Sequence, residues 1–340
     1  MKKKIFSLLI AIVAAATSVQ AQQISVVSPS GATSLYRTLP EAIEGAANGS
    51  VVYLPGGGFT ISDEVKITKK LTIIGIGHKS TTDNVDGIST ISGNLNFNQG
   101  SDGSAVMGCY ITGDVNIAED APVNSVAVKL CNINSVQVKN AEVKETYIYQ
   151  NYIRSSSGFS YASCTITNNV MHSMHHIKNG TIKYNIMCNS YGQDRDDAPF
   201  YDVSLSHISN NILKGRQESG NWVGFWRPLN GSDNYTSSNI VVNDWQGRTF
   251  GDNPIIIEAE GSDCFIEVNN WSSGWEISSK MNYHFKDEYK QYESQVGIYA
   301  GSGFDDSQMA PVPYIMYKDV PDKTDAEGKL KVRIRVKANQ

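Results

Sequence analysis

The sequence predicts an all-β chain wound as a parallel β-helix, and two observations carry that prediction. The pattern Ile-x-x-Asn-apolar returns four times: Ile148 to Asn151-Tyr152, Ile166 to Asn169-Val170, Ile182 to Asn185-Ile186, and Ile208 to Asn211-Ile212. Steps of 18, 16 and 26 residues separate the asparagines, a self-similarity typical of short strands stacked coil upon coil. Asparagine suits the bend between strands because it tolerates a left-handed backbone, and its amide can bond to its counterparts one coil above and below. The second observation is punctuation: glycine and asparagine interrupt β-rich segments throughout, and no long helical pattern intervenes to build βαβ units.

The elements follow in order. Residues 1–21 begin with Lys2, Lys3 and Lys4, continue as an apolar run from Ile5 to Ala16, and end on Val19-Gln20-Ala21. This is the pattern of a secretory signal peptide cleaved after Ala21. A cysteine near the cleavage point would suggest a lipoprotein, and there is none; nor does any later stretch supply the roughly 20 apolar residues of a membrane span. The expectation is an exported protein, periplasmic or extracellular, of 319 residues. Its 26 basic and 34 acidic residues leave a net charge of −8, which makes nucleic acid a poor partner; a monomer is expected.

Ile24 to Val27 reads as a first strand, with a turn at Ser28-Pro29-Ser30-Gly31. Thr38-Leu-Pro-Glu41 has the form of a capping box, so a short helix should follow, with Leu39, Ile43 and Ala46 on one face and Gly49 at its end. Val51 to Leu54, Phe59 to Ile61, Leu71 to Gly75, Val106 to Ile111, Val115 to Ile117 and Val126 to Val138 continue the strands. Cys109-Tyr-Ile111, Cys131-Asn-Ile133 and Cys164-Thr-Ile166 place cysteine beside isoleucine on one strand face, so these thiols are expected to be buried and reduced. Residues 22–281 form the coil on this reading, and 282–340 a C-terminal cap of the same domain, because Pro311, Pro313 and Pro321 stop regular coils. In the final alternation Leu330, Val332, Ile334 and Val336 should face a core, with Lys331, Arg333, Arg335 and Lys337 in water.

Ser34-Leu-Tyr-Arg-Thr-Leu-Pro-Glu-Ala-Ile43, then Gly49-Ser-Val-Val-Tyr-Leu-Pro-Gly-Gly-Gly-Phe59 and Leu71-Thr-Ile-Ile-Gly75, resemble the opening of secreted bacterial proteins of the pectin-lyase-like superfamily. The resemblance covers most of the chain, and the ending is similar to those of Bacteroidetes-type surface proteins. It implies a right-handed parallel β-helix with a short helix capping the first coil. Lyases, hydrolases, epimerases and adhesins share that fold, so the resemblance implies no single activity.

Function is sought where the repeat lengthens. Extra residues around Tyr191 to Phe200 and from Lys214 to Asp233 leave their coils at the same phase, so they should emerge as neighbours and form a wall or cleft. Arg195, Glu218, Trp222, Trp226 and Arg227 would bind a polysaccharide or surface glycan, aromatic faces stacking on sugar rings while charges fix the polar edges. If the chain is a polysaccharide lyase, Lys214, Arg216 or His172 is the candidate base, and Asp194, Asp196 and Asp197 could hold Ca²⁺. A hydrolase would need a carboxylate pair such as Asp196 with Glu218 or Asp233, and a purely structural spacer would need none of these. Three residues past each repeat asparagine lie Arg154, His172, Cys188 and Lys214, a column along one flank if the register holds. His175 and His176, strand neighbours, should point to opposite faces, and Trp245, Trp271 and Trp275 read equally as packing or as a sugar platform.

Overall fold

A computed structural model describes residues 23–79, 87–189, 199–214, 231–242, 255–257, 264–271, 274–321, 323–324 and 327–338. Three long sheets of 11, 10 and 7 strands, here sheets A, B and C, make a parallel β-helix. One coil shows the plan: Thr146–Tyr149 lies in sheet A, Tyr152–Ile153 in sheet B and Ser157–Ala162 in sheet C, and Cys164–Thr167 then returns to sheet A. Each coil buries its own inward residues against those above and below. Ile73, Val106, Val128, Ile148, Ile166, Ile182 and Ile208 pair in register down sheet A, all fully buried. Shortening one of them to alanine would open a cavity between two neighbouring rungs, at a cost of about 2–5 kcal/mol.

The repeat asparagines form a buried ladder at the corner between sheets A and B. Asn151 Nδ2 donates to Asn169 Oδ1, Asn169 to Asn185, Asn185 to Asn211 and Asn211 to Asn239, at 3.0, 2.9, 3.0 and 3.0 Å. The left-handed residue at each bend is not the ladder asparagine, as the sequence suggested, but the residue before it. Gln150, Asn168, Tyr184, Asn210 and Ser238 have φ between 54° and 59°. Placing the bend one residue earlier leaves the asparagine extended enough to aim its amide along the stack.

The ladder also runs further than the repeat. Cys131 N donates to Asn151 Oδ1 at 2.9 Å, and Cys131 Sγ lies 3.1 Å from Lys129 O, the carbonyl two residues back that each asparagine amide would reach. Cys109 Sγ makes the matching contact to Met107 O at 3.4 Å. Leu130 and Gly108 are the left-handed residues ahead of them. All five cysteines are buried and outside any disulfide, and burial pushes the thiols of Cys109, Cys131, Cys164 and Cys188 up, Cys131 to about 12.

At the N-terminal end Ile24–Val27 pairs antiparallel with both Thr33–Tyr36 and Ser50–Leu54, so the first rung of sheet A is a hairpin. Helix α1, Leu39–Gly45, packs against this hairpin. Its capping box is present: Glu41 N donates to Thr38 Oγ1, and Thr38 N to Glu41 Oε2. The helix ends at Gly45 with Ala46 as its cap; Gly49, expected as its stop, shapes the following turn with φ 85°.

From Cys264 the chain lies along the outer face of sheet B. Phe265, Trp275, Tyr283, Phe285, Val296 and Ile298 form a second core with Tyr152, Val170, Ile186, Ile212 and Ile240, the outward residues of that sheet. This explains why positions on both faces of sheet B are apolar. Residues 295–310 then run backwards past the left-handed corner residues. Gly297 N donates to Asn210 O, Asn168 Nδ2 donates to Ile298 O and Ala300 O, and Gln150 Nε2 donates to Gly303 O. His78 Nε2 meets Gln308 Oε1 at 2.9 Å.

The chain ends in a two-stranded hairpin, Pro313–Asp319 against Arg333–Ala338. Leu330, Val332, Ile334 and Val336 are 45, 47, 54 and 59% exposed, against the expectation that they face a core. Alternation reports a ribbon with two unlike faces; it does not report a layer to cover one of them.

Candidate functional site

Among the described residues, the outer face of sheet C gathers histidines, tyrosines and a carboxylate on adjacent rungs. One outward column runs in register through Lys66, Asn96, Asn116, Gln137, Gly158, His175 and Tyr201. Its first part is an amide track: Asn116 Nδ2 donates to Asn96 Oδ1 at 2.9 Å, and Gln137 Nε2 to Ser156 O at 3.1 Å. Rungs lie about 4.8 Å apart, so this floor is long, narrow and polar.

At its far end three consecutive strands bulge. Tyr161, His176 and Asp202 have φ of 64°, 57° and 51°, while Ala162, Ile177 and Val203 beyond them stay in register and buried. The extra left-handed residue lets two successive side chains face solvent, so His175 and His176 both project outward, contrary to simple alternation. The sequence carries a signal for this. Met174-His-His-Ile177 and Phe200-Tyr-Asp-Val203 both read apolar-polar-polar-apolar, a spacing that a regular strand cannot bury on one face.

The three bulged side chains meet at one oxygen. Tyr161 OH donates to Asp202 Oδ2 at 2.5 Å, and His176 Nδ1 lies 3.2 Å from the same atom. His176 and Asp202 side chains are 39 and 41% exposed. The bond to Asp202 and its negative charge hold the Tyr161 phenol above its usual range. A carboxylate at Nδ1 fixes the histidine tautomer, so in the neutral ring Nε2 carries the lone pair. Around them the rings of His176 and Tyr201 lie 5.6 Å apart, His175 and Tyr201 6.3 Å, and Tyr161 and His176 5.3 Å.

No family model, no curated protein and no solved structure matches this chain. The site therefore rests on its own geometry.

The corner between sheets B and C borders this floor. In the early coils it is a tight polar turn: Asn94 Nδ2 donates to Asp63 Oδ1, Asn134 Nδ2 to Asp114 Oδ1 and Ser155 Oγ to Asn134 Oδ1. In the later coils it carries the long inserts after strands Ile186–Met187 and Ile212–Lys214, which pair with each other in register. Asp194, Arg195, Asp196, Asp197, Arg216, Glu218, Trp222, Trp226 and Arg227 all fall in those inserts, outside the described residues. Trp245 and the side chain of Trp271 also lie outside the described residues. Among the described residues no group of three His, Cys, Asp or Glu is placed to hold a metal, and no helix is long and apolar enough to cross a membrane.

The Arg154, His172, Cys188, Lys214 column keeps its register, since His172 N donates to Ile153 O and Cys188 N to Met171 O, but its members do different things. The Arg154 guanidinium bonds Tyr110 OH and the carbonyls of Ile111 and Ile133. His172 Nδ1 lies 3.3 Å from Ser156 Oγ and 3.1 Å from Ser173 Oγ, at the rim of the sheet C floor. Cys188 and Lys214 belong to the second core: Lys214 is 5% exposed, its ammonium 5.3 Å from the Trp275 ring centroid. Trp275 is 4% exposed, packed at 4.9 Å from Phe265.

Proposed function

We propose that this protein is an exported, monomeric carbohydrate-binding member of the pectin-lyase-like group, and that a polysaccharide or surface glycan lies along the outer face of sheet C. The observation that carries the reading is the triple bulge, which sets Tyr161, His176 and Asp202 on adjacent rungs at the end of an amide-lined floor. What distinguishes these three from the left-handed corner residues is that their side chains converge on a single carboxylate oxygen. Half-exposed rings suit stacking on sugar faces, and amides and a carboxylate suit hydroxyls. The inserts at 190–198 and 215–230 border this floor by their anchor points, so Arg195, Glu218, Trp222, Trp226 and Arg227 remain part of the proposal as its wall.

Affinity electrophoresis against neutral and acidic polysaccharides tests the reading. Retardation by at least one polymer, weakened by Tyr201→Ala and by His175→Ala, is expected. Unretarded migration in every polymer would reject it.

Cleavage of the bound chain is the second reading, favoured by the Asp202–His176 pair, which has the geometry of a general base and its orienting carboxylate. Arg216 stays as an alternative base, with Ca²⁺ at Asp194, Asp196 and Asp197, whereas Lys214, buried against Trp275, is set apart from this face. A panel assay for unsaturated product, run with Ca²⁺ and with a chelator, separates cleavage from binding.

A further inference from the structure

We propose that Tyr161 and His176 are an acid and base acting from one face of the bound chain, and that the protein is a syn-eliminating lyase of glucuronate- or mannuronate-containing polysaccharides. The inference rests on the glycan-binding reading of sheet C and adds to it a reaction and a substrate configuration.

Both side chains rise from the same sheet surface, with ring centroids 5.3 Å apart and a common anchor in Asp202 Oδ2. A sugar lying on this face meets both groups from one side, so a proton taken by one and a proton given by the other cross the same side of its ring. The step is then closed in its atoms and electrons. His176 Nε2 takes the C5 hydrogen, made acidic by the adjacent uronate carboxyl group. The electron pair left at C5 becomes the C4=C5 double bond, the C4–O bond breaks, and the departing oxygen takes the Tyr161 phenolic proton. Tyr161 then recovers a proton through water from the His176 imidazolium. No water is consumed and no oxidant is needed. Asp202 is a positioning residue: it holds the histidine tautomer through Nδ1 and orients the Tyr161 hydroxyl.

Stereochemistry selects the substrate. In glucuronate and mannuronate the C5 hydrogen and the C4 oxygen lie on the same face of the ring, so a one-sided acid and base can serve both. In galacturonate and guluronate they lie on opposite faces, and such an arrangement would require the second group on the other side of the chain. Sheet C forms one wall of the site only.

The test uses the full exported chain with glucuronan, polymannuronate, polygalacturonate and polyguluronate, following ultraviolet absorbance of the unsaturated product and, in parallel, binding by affinity electrophoresis. Turnover of glucuronan or polymannuronate is expected, with galacturonan and guluronan at least about tenfold slower. Tyr161→Phe and His176→Asn should each lower kcat by about a hundredfold or more with binding retained. Asparagine is chosen at 176 because it tolerates the left-handed backbone. Asp202→Asn should shift the pH profile of kcat with little change in KM, which a merely structural role would not do. Binding without turnover of the two syn polymers, or faster turnover of the anti polymers, overturns this inference and leaves the binding proposal standing. Absence of binding overturns both.

Discussion

The side-chain oxygen of Asn169 accepts both the backbone and the side-chain amide of Asn151, each at 3.0 Å. The same asparagine donates to Ile148 O at 2.9 Å, to Asn185 Oδ1 at 2.9 Å and, within its own rung, to Thr167 O at 3.0 Å, so one buried side chain makes five bonds, four of them between rungs. Replacing it strands polar groups on two coils at once. Asn169→Ala should cost about 3 kcal/mol or more, since each orphaned group costs about 1–3 kcal/mol. Urea unfolding followed by circular dichroism measures it, and a loss below about 1 kcal/mol would mean that the ladder is dispensable.

Cys131 occupies a ladder position with a weaker donor than an amide. Cys131→Asn should therefore be tolerated or raise Tm, by extending the ladder one rung, while Cys131→Leu should lower it. Thermal unfolding of the pair decides. Equal losses from both changes would mean that volume alone matters at this corner.

Burial pulls the His78 imidazole down to about 4, against the opposing bond from Gln308, and Lys79 adds to the fall. The unfolded chain, with histidine near its ordinary 6.5, binds more protons between these values, so stability falls as pH drops from about 6.5 to 4. The full difference corresponds to about 3 kcal/mol. His78→Gln should flatten this part of the Tm–pH curve; an unchanged slope would assign the acid sensitivity elsewhere.

His176, Tyr161 and Asp202 hold left-handed backbones that glycine adopts without strain. His176→Gly should leave stability unchanged or raise it by up to about 1 kcal/mol while abolishing the proposed turnover, whereas His176→Val should destabilise. A glycine variant that loses stability as valine does would remove strain from the account of this site.

Deleting residues 313–340 should shift Tm by only a few degrees, because the terminal hairpin pairs with itself and its apolar residues are exposed. Truncation before Cys264 should instead uncover Tyr152, Val170, Ile186, Ile212 and Ile240 and produce an aggregating chain. Differential scanning fluorimetry and light scattering compare the two.

How much of this was legible in the sequence follows from periodicity. The ladder asparagines repeat with the coil, so Asn151, Asn169, Asn185 and Asn211 announced both fold and corner. The α1 cap was equally plain, because Thr38 and Glu41 act within a single turn. The sheet C site was not, because Tyr161, His175, His176, Tyr201 and Asp202 converge only when three rungs are stacked in register. Their trace in the chain is a departure from alternation, which reads at first as noise. Lys214 illustrates the opposite case: its register was right, but sequence spacing has no means of reporting that Trp275 would lie over it. The exposed ribbon of Ile334 and Val336 shows the same limit, since alternation says which face differs and not what covers it.

The bond between His78 and Gln308 joins residues 230 positions apart. A solenoid ordinarily folds rung by rung, each turn answering only to its neighbours. Here residues 295–310 return to one of the first turns and touch the rungs between. Assembly cannot be completed from one end: the early coils wait for residues 295–310, contact order rises, and folding slows accordingly. Loosening at any single rung is then felt along the whole stack, so this repeat protein should unfold as one cooperative body rather than fray from its ends.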